Sequence, residues 1–528
     1  MLGALLFLQA VSPPRTVAPA PREKPALAVL VVVDQMRPDY FTRYHAQFTG
    51  GFRRIYDEAA LFLDGRQDHA MTETAPGHST LLSGRTPSQT GIVSNDWGVN
   101  DARFPIVAPG VGDAASPLRF QGTTLYDWML ARDPATRVFS VSRKDRGAIL
   151  PVGRAKRDIY WWTRGMWGTS RYYRDSLPGW LQEYNRRPGW RAFAGAAWEP
   201  LLPDSAYPEP DLQPWEGNGR EKTFPHVAPT GLDSLAWRII YYTWMDSLTL
   251  DLALEGTRQL RLGQRADGPD LLVVSLSTTD RVGHDWGPDS KELHDHLLRL
   301  DRWLGWFADS LTRSVPGGRI LWALSADHGT QPWTEYTVAH GGQADRPRMQ
   351  PMTTRLRAAM RARWGTEFDI YQEDGLLYGD TTAMRARGID LRRLADSLAA
   401  EVRTLPGVWR VHTPRTIARA PRSDHEAWLW RRGIPVTQGW LVAASVRSGY
   451  VWERTDHGST DVMDQRVPIA FWGAGIPAGR STRTVSTTDI APTLAALLGI
   501  APTEPVSGEV LPEIVPRPPR RLPKGLHP

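Results

Sequence analysis

Short apolar runs recur along the chain, and several stop abruptly at an acidic residue. The runs at 27–33, 138–141, 271–276, 320–325 and 467–472 read as strands. Segments 123–132, 291–312, 355–364, 391–403 and 489–498 read as helices. Strand and helix alternate as a mainly parallel sheet requires, so the expected fold is α/β, a central sheet flanked by helices. TTDIAPTLAALLGI closes the pattern as a helix with Pro492 in its first turn, where a missing N–H costs nothing. Two irregular stretches interrupt it. Residues from about 151 to 232 are rich in Trp, Tyr, Pro and Arg, and residues from about 340 to 456 carry a short α/β pattern of their own. There is no internal repeat.

Candidate chemistry gathers where the apolar runs end. ALAVLVVVDQM, MTETAPGHST, LLVVSLSTTDRVGHD, ILWALSADHG and ERTDHGST supply Asp34, Thr74, Asp280 with His284, Asp327 with His328, and His457. An open α/β sheet presents its chemistry at the carboxyl ends of its strands, and three of these segments put Asp or Asp-His directly there. Asp280 and His284 are four apart, so one helical turn or a tight loop aims both at one ion. A lone Asp after a strand is ordinarily a turn or helix cap, and a lone Asp-His-Gly says little more. The set taken together points to a metal centre, and its mixture of carboxylate and imidazole suits zinc ahead of iron or manganese.

In their order these residues resemble the alkaline phosphatase superfamily, in particular the branch with a threonine nucleophile. The resemblance runs from about residue 25 to about residue 500. It implies two zinc ions, one held by Asp280, His284 and His457, the other by Asp34, Asp327, His328 and the Thr74 hydroxyl. TETAPGHSTLLSGRTPSQTGIVSNDW then looks like the nucleophile turn, its following helix, and an Asn95 that points back at the phosphoryl group. Pro76 and Gly77 favour a sharp turn after Thr74, with helix expected from His78 to Leu82, whose N-terminal N–H groups favour an anion. A capping role for Thr74 is compatible with this. A threonine hydroxyl is barely ionised at neutral pH, whereas on a divalent cation it can act as an alkoxide. A second cation can grip the leaving oxygen.

RVFSVSRKDRGAIL places Lys144 and Arg146 two apart, on one face if strand geometry continues. A phosphate monoester carries more anionic oxygen than a diester, so added fixed cations reward it selectively. In the monoesterase branch a Lys-x-Arg pair at this place contacts the phosphoryl oxygens, and the diesterase relatives lack it. The resemblance therefore implies hydrolysis of phosphate monoesters through a phosphothreonine intermediate. Lys144 would stand where three-metal relatives hold magnesium. With no cysteine and no Ser-x-Pro-x-Arg near residue 74, the formylglycine sulfatase motif is absent. The alternatives are a nucleotide pyrophosphatase or phosphodiesterase on the same two-zinc site, and a metal-dependent binding protein without turnover.

At 528 residues, length alone allows about three or four domains. Candidate ligands from Asp34 to His457 argue instead for one catalytic domain over about 25–510 with two insertions. A net charge of +6 attracts anionic substrates weakly, and the scattered Arg and Lys residues form no nucleic-acid stripe. MLGALLFLQAVSPP resembles a secretory signal, PRTVAPAPREKP a Pro-rich linker with a candidate cleavage site at 18–20, and no later run approaches a membrane span. A periplasmic or secreted monomer acting on small-molecule phosphate esters is expected. The end from Leu511, PRPPRRLPKGLHP included, reads as a basic disordered tail. The aromatics of the insertions are read as loop packing, with stacking on a substrate base or sugar the alternative. His78 is read as a hydrogen-bonded structural group, and His294 and His296, flanking Asp295, as a solvated helix face.

Overall fold

The structure is a computed structural model describing residues 24–107, 113–217, 221–365, 370–435, 437–452, 457–473 and 475–515. The expected signal-like segment and most of the expected tail lie outside these residues. The central sheet has ten strands. Its first seven are β1 (Leu27–Val33), β2 (Ala60–Arg66), β3 (Val138–Ser142), β4 (Asp158–Trp162), β5 (Trp167–Gly168), β6 (Asp270–Leu276) and β7 (Ile320–Ser325). A second sheet within the later insertion holds β8 (Ile370–Glu373), β9 (Leu376–Gly379), β10 (Val408–His412) and β11 (Trp440–Val446), in the order β8-β9-β11-β10. The chain then returns to the main sheet as β12 (Arg466–Gly473) and β13 (Gly479–Ser481).

The main sheet is ordered β13-β2-β12-β7-β1-β6-β3-β4-β5, with Val485–Ser486 pairing beside β2. Strands β7, β1, β6, β3 and β4 are mutually parallel. β12 runs antiparallel to both β7 and β2. Every residue of β1 is buried. Leu27, Val29, Val31 and Val33 pack on one face with helix residues such as Leu300 and Leu304; Ala28, Leu30 and Val32 pack on the other with Leu81, Ile490 and Leu494. Helices cover both faces, so the run needs no polar alternation.

Four helices position the site: α1 (Thr74–Leu81), α2 (Asp145–Ile149), α3 (Thr278–Trp286) and α4 (Lys291–Ser314). α1 begins at Thr74, four residues before the expected helix, with Glu73 as its cap residue. Gly77 lets it approach the sheet, because a Cβ there would lie 1.9 Å from the Asp327 carbonyl oxygen.

Two sequence expectations are corrected. His294, Asp295 and His296 on α4 do not face solvent; all three are buried. Asp295 accepts hydrogen bonds from Trp198 Nε1 (2.6 Å), Leu201 N–H (2.5 Å), Tyr207 hydroxyl (2.7 Å) and Arg299 Nε (2.7 Å). The first insertion thus docks on α4. At the other end, Leu511 and Ile514 are buried in the core, so packed chain extends into the expected tail. The later insertion has its own core around Met349, Leu398, Val402, Val442 and Trp452.

Candidate active site

Four adjacent parallel strands deliver the central groups. Asp34 follows β1, Asp327 follows β7, Lys144 follows β3, and Asp280 lies in the first turn of α3 just after β6. Neighbouring strands lie about 4.8 Å apart, so residues one or two beyond their ends are brought within reach of a shared ion. His457 arrives from the segment that follows the later insertion. The acidic and imidazole residues singled out in the sequence fall into two triads, Asp34/Asp327/His328 and Asp280/His284/His457. Within each, one ligand atom per residue lies within 4.8 Å of the others.

The imidazoles are oriented as ligands need to be. His328 Nδ1 faces the Gly329 carbonyl at 2.9 Å, and His457 Nδ1 faces the Thr72 carbonyl at 3.1 Å. A carbonyl only accepts, so each Nδ1 carries the proton and each Nε2 presents its lone pair to the site. His457 Nε2 and His284 Nε2 lie 3.4 Å apart, and His284 Nε2 lies 2.9 Å from Asp280 Oδ1. Asp34 Oδ1 and His328 Nε2 are buried with no hydrogen-bond partner among the described residues, and Asp327 Oδ2 lies 3.1 Å from His78 Nδ1. Three carboxylates face one ammonium here, and burying such an excess of negative charge is costly without further positive charge. The donor set therefore fits cations bound by oxygen and nitrogen ligands.

That ammonium belongs to Lys144. Its Nζ lies 2.6 Å from Asp34 Oδ2 and 2.7 Å from Asp280 Oδ2, and donates to Thr74 Oγ1 at 3.0 Å. It thereby joins one carboxylate of each triad to the threonine hydroxyl. β3 ends at Ser142, so continued strand geometry does not explain the Lys-x-Arg pair: Lys144 is extended, whereas Arg146 is helical, in α2. Arg146 Nη1 lies 3.6 Å from Asp145, and none of its described contacts is to the triads. Asn95 Oδ1 accepts the Ala75 N–H at 2.9 Å, beside Thr74. His78 is hydrogen-bonded within the fold, Nδ1 to the Thr74 carbonyl and Nε2 to Ser275 Oγ, each at 2.9 Å.

Sequence reading missed the supporting groups. Gln35 N–H and His328 N–H both donate to Asp327 Oδ1, at 3.1 and 3.0 Å, and Gln35 Nε2 lies 3.4 Å from Asp280 Oδ1. Glu73 Oε2 accepts the Asn95 N–H at 2.7 Å. Gln35 follows Asp34 and Glu73 precedes Thr74, so adjacency to a candidate residue was the available signal.

Burial, then Asp280 and Asp327, push the Asp34 carboxyl up to about 7, against Lys144 and His328. Burial favours the neutral acid at Asp280 and Asp327 too. There His284 with Lys144, and His328 with His78, outweigh it and hold both below the usual carboxylate range. Burial, with His328 and His284 alongside, pushes the His457 imidazole well below its ordinary value, keeping the ring neutral. Burial pushes Glu73 up, and pushes Glu373 up to about 9.

Known proteins resemble this chain over most of its length. The family described as type I phosphodiesterase / nucleotide pyrophosphatase matches residues 28–374. Alkaline phosphatase PafA of Elizabethkingia meningoseptica is 31% identical over 559 residues, covering 98% of this chain and 99% of PafA. Alkaline phosphatase PhoK of Sphingomonas sp is 32% identical over 540 residues, covering 94% and 92%. The crystal structure of wild-type PafA matches with a TM-score of 0.84 at 28% identity, over 93% of this chain and 99% of that one. Murine ectonucleotide pyrophosphatase / phosphodiesterase 5 shares the fold, with a TM-score of 0.50 at 14% identity, over 92% and 98%.

Proposed function

The chain belongs to the type I phosphodiesterase / nucleotide pyrophosphatase family, and we propose that within it this protein is an alkaline phosphatase, hydrolysing phosphate monoesters at two zinc ions. The observation that carries the reading is Lys144, whose ammonium touches Asp34, Asp280 and Thr74 within 3.0 Å. Asp34, Asp327 and His328, with the Thr74 hydroxyl, would hold one ion; Asp280, His284 and His457 would hold the other. When bound, the ions supply Lewis acidity toward the hydroxyl and the leaving oxygen.

Thr74 is the nucleophile. Its Oγ1 forms a bond to phosphorus as the bond to the ester oxygen breaks, leaving a phosphothreonine and releasing the alcohol. Water then attacks phosphorus, the Thr74 oxygen departs, and inorganic phosphate is released. Lys144 donates to Thr74 Oγ1, which favours its ionised form, and its charge opposes the negative charge of the nonbridging oxygens. Asn95 has its Oδ1 engaged by the Ala75 N–H, and its amide NH2 would serve as a donor to the phosphoryl group. Arg146 adds a planar fork to the same oxygens. A solved PafA variant replaces a threonine, an asparagine, and a Lys-x-Arg pair; its Thr-to-Asn and Lys-to-Arg spacings equal those of Thr74 to Asn95 and of Lys144 to Arg146, with a longer stretch between the two pairs. That correspondence supports the four assignments. The signal-like N-terminus supports export, with extracytoplasmic esters as substrates.

The test compares an aryl phosphate with its bis-aryl diester. Replacing both Lys144 and Arg146 by Ala should lower kcat/KM for the monoester by roughly a hundredfold or more and for the diester by less than about tenfold. Thr74→Ala should abolish turnover of both while metal analysis still returns two ions per chain. Equal losses on the two esters would favour the phosphodiesterase reading, which the family description also accommodates.

A further inference from the structure

Asn95 lies in no helix or strand, so something outside its own segment must hold it. Its backbone N–H is fixed by Glu73, and its side-chain oxygen by Ala75. The next contacts come from the later insertion, 277 residues away in sequence. Glu373 Oε1, at the end of β8, accepts the Asp96 N–H at 3.0 Å. Tyr378 on β9 donates its hydroxyl to Asp96 Oδ2 at 3.2 Å and lies 3.4 Å from Glu373 Oε2. The Trp97 ring packs on the Tyr378 ring, centroids 4.5 Å apart. The turn of the same hairpin also meets the segment carrying His457: a Cβ on Gly458 would lie 1.9 Å from Asp374 Oδ2.

We infer that Glu373 and Tyr378 are positioning residues for Asn95, so that the inserted subdomain sets the phosphoryl-binding geometry of a site whose candidate metal ligands come from the strand ends, α3 and the segment after the insertion. The inference rests on Asn95 contacting the phosphoryl group, as proposed above. The hairpin grips Asp96 and Trp97 directly after Asn95, through one backbone hydrogen bond, one side-chain hydrogen bond and one ring contact. Removing the grip leaves Asn95 in place in the sequence but free to swing, and a small misplacement of a contact group is expensive in catalysis.

The test is a double-mutant cycle on the metal-loaded enzyme, read by kcat, KM, the inhibition constant of inorganic phosphate, and metal content. Asn95→Ala alone should lower aryl-phosphate kcat/KM by roughly thirtyfold, and Glu373→Ala alone by roughly tenfold, with phosphate binding weakened in parallel. Glu373→Gln keeps an oxygen for the Asp96 N–H and should stay within about twofold of the parent. In the Asn95→Ala background, Glu373→Ala should cost less than about twofold further, with two metals retained throughout. A second full tenfold loss in that background, or a Gln variant as impaired as the Ala variant, overturns the inference. Should Glu373→Ala not fold, Tyr378→Phe removes a single hydroxyl and is carried through the same cycle, where it should cost about threefold with Asn95 present and nothing without it. If Asn95→Ala leaves kcat/KM intact, the phosphoryl role of Asn95 fails, a result distinct from additivity with an impaired Asn95 variant.

Discussion

The two candidate ligand triads are built by different means. Asp34, Asp327 and His328 follow directly from neighbouring strands β1 and β7, and each is 0% exposed. Asp327 is further fixed by two backbone N–H groups. Asp280 and His284 stand one helical turn apart on α3, and His457 arrives 173 residues after His284, once the chain has traversed the later insertion. Here the His284 side chain is 18% exposed. The first triad is a consequence of forming the sheet. The second requires a helix, an inserted subdomain and a returning segment to agree, so it should be the easier to disassemble.

The largest contrast should come from deleting one ligand of each. Asp327→Ala leaves the Gln35 and His328 N–H groups buried without their acceptor, which should cost about 2–4 kcal/mol of stability together with the metal at that triad. Activity should fall by roughly ten-thousandfold or more. His457→Ala removes a ring whose Nδ1 bonds to the Thr72 carbonyl and whose face stacks on His328. It should bind about one metal per chain, lose activity by roughly a thousandfold, and unfold within about 2 kcal/mol of the parent. Denaturant unfolding of the metal-free proteins, with metal-to-protein ratios of the loaded ones, measures both. Equal destabilisation would erase the distinction between the triads.

A smaller effect should appear under a weak chelator. The Asp280/His284/His457 ion should leave first, giving a two-step release in which the first step is missing from His284→Ala protein. Loss of both ions in a single step, with the same amplitude in the variant, would mean that the triads behave as one unit.

The sequence exposed one triad far better than the other, for the same reason. β1 and β7 occupy the expected residues 27–33 and 320–325, and the acids that close their apolar runs stand at the strand ends. For Asp280 and His284 the spacing alone left helix and loop open; α3 resolves it. Partners far away in sequence were invisible. The buried His294, Asp295 and His296 looked polar and therefore solvated, because the Trp198, Leu201 and Tyr207 groups that satisfy Asp295 belong to an irregular insertion. Glu373 carried no signal, as an acidic residue before Asp-Gly reads as an ordinary turn. β12 reads as a strand, but its antiparallel direction depends on the path through the insertion, which local pattern does not encode.

The smallest expected effect concerns acid and the helix behind the second triad. His296 on α4 is buried with its Nδ1 2.9 Å from Thr243 Oγ1 and its Nε2 3.1 Å from Thr279 Oγ1, next to Asp280. Burial, with Arg299 adding to it, lowers its imidazole to about 3. Between that value and the ordinary 6.5 the unfolded chain binds a proton that the folded chain does not, so this contribution to stability is lost as pH falls below 6.5. By pH 5 the loss should reach about 2 kcal/mol. Asp246 opposes it: burial raises this carboxyl to about 6, so the folded state gains a proton first, and stability, as pH falls from there toward 3.8. Comparing the parent with His296→Gln, which can still reach both threonines, isolates the imidazole. Between pH 7 and pH 5 the metal-free variant should lose about 2 kcal/mol less unfolding free energy than the parent. Parallel pH profiles would show that α3, and with it the second triad, owes nothing to the neutrality of His296.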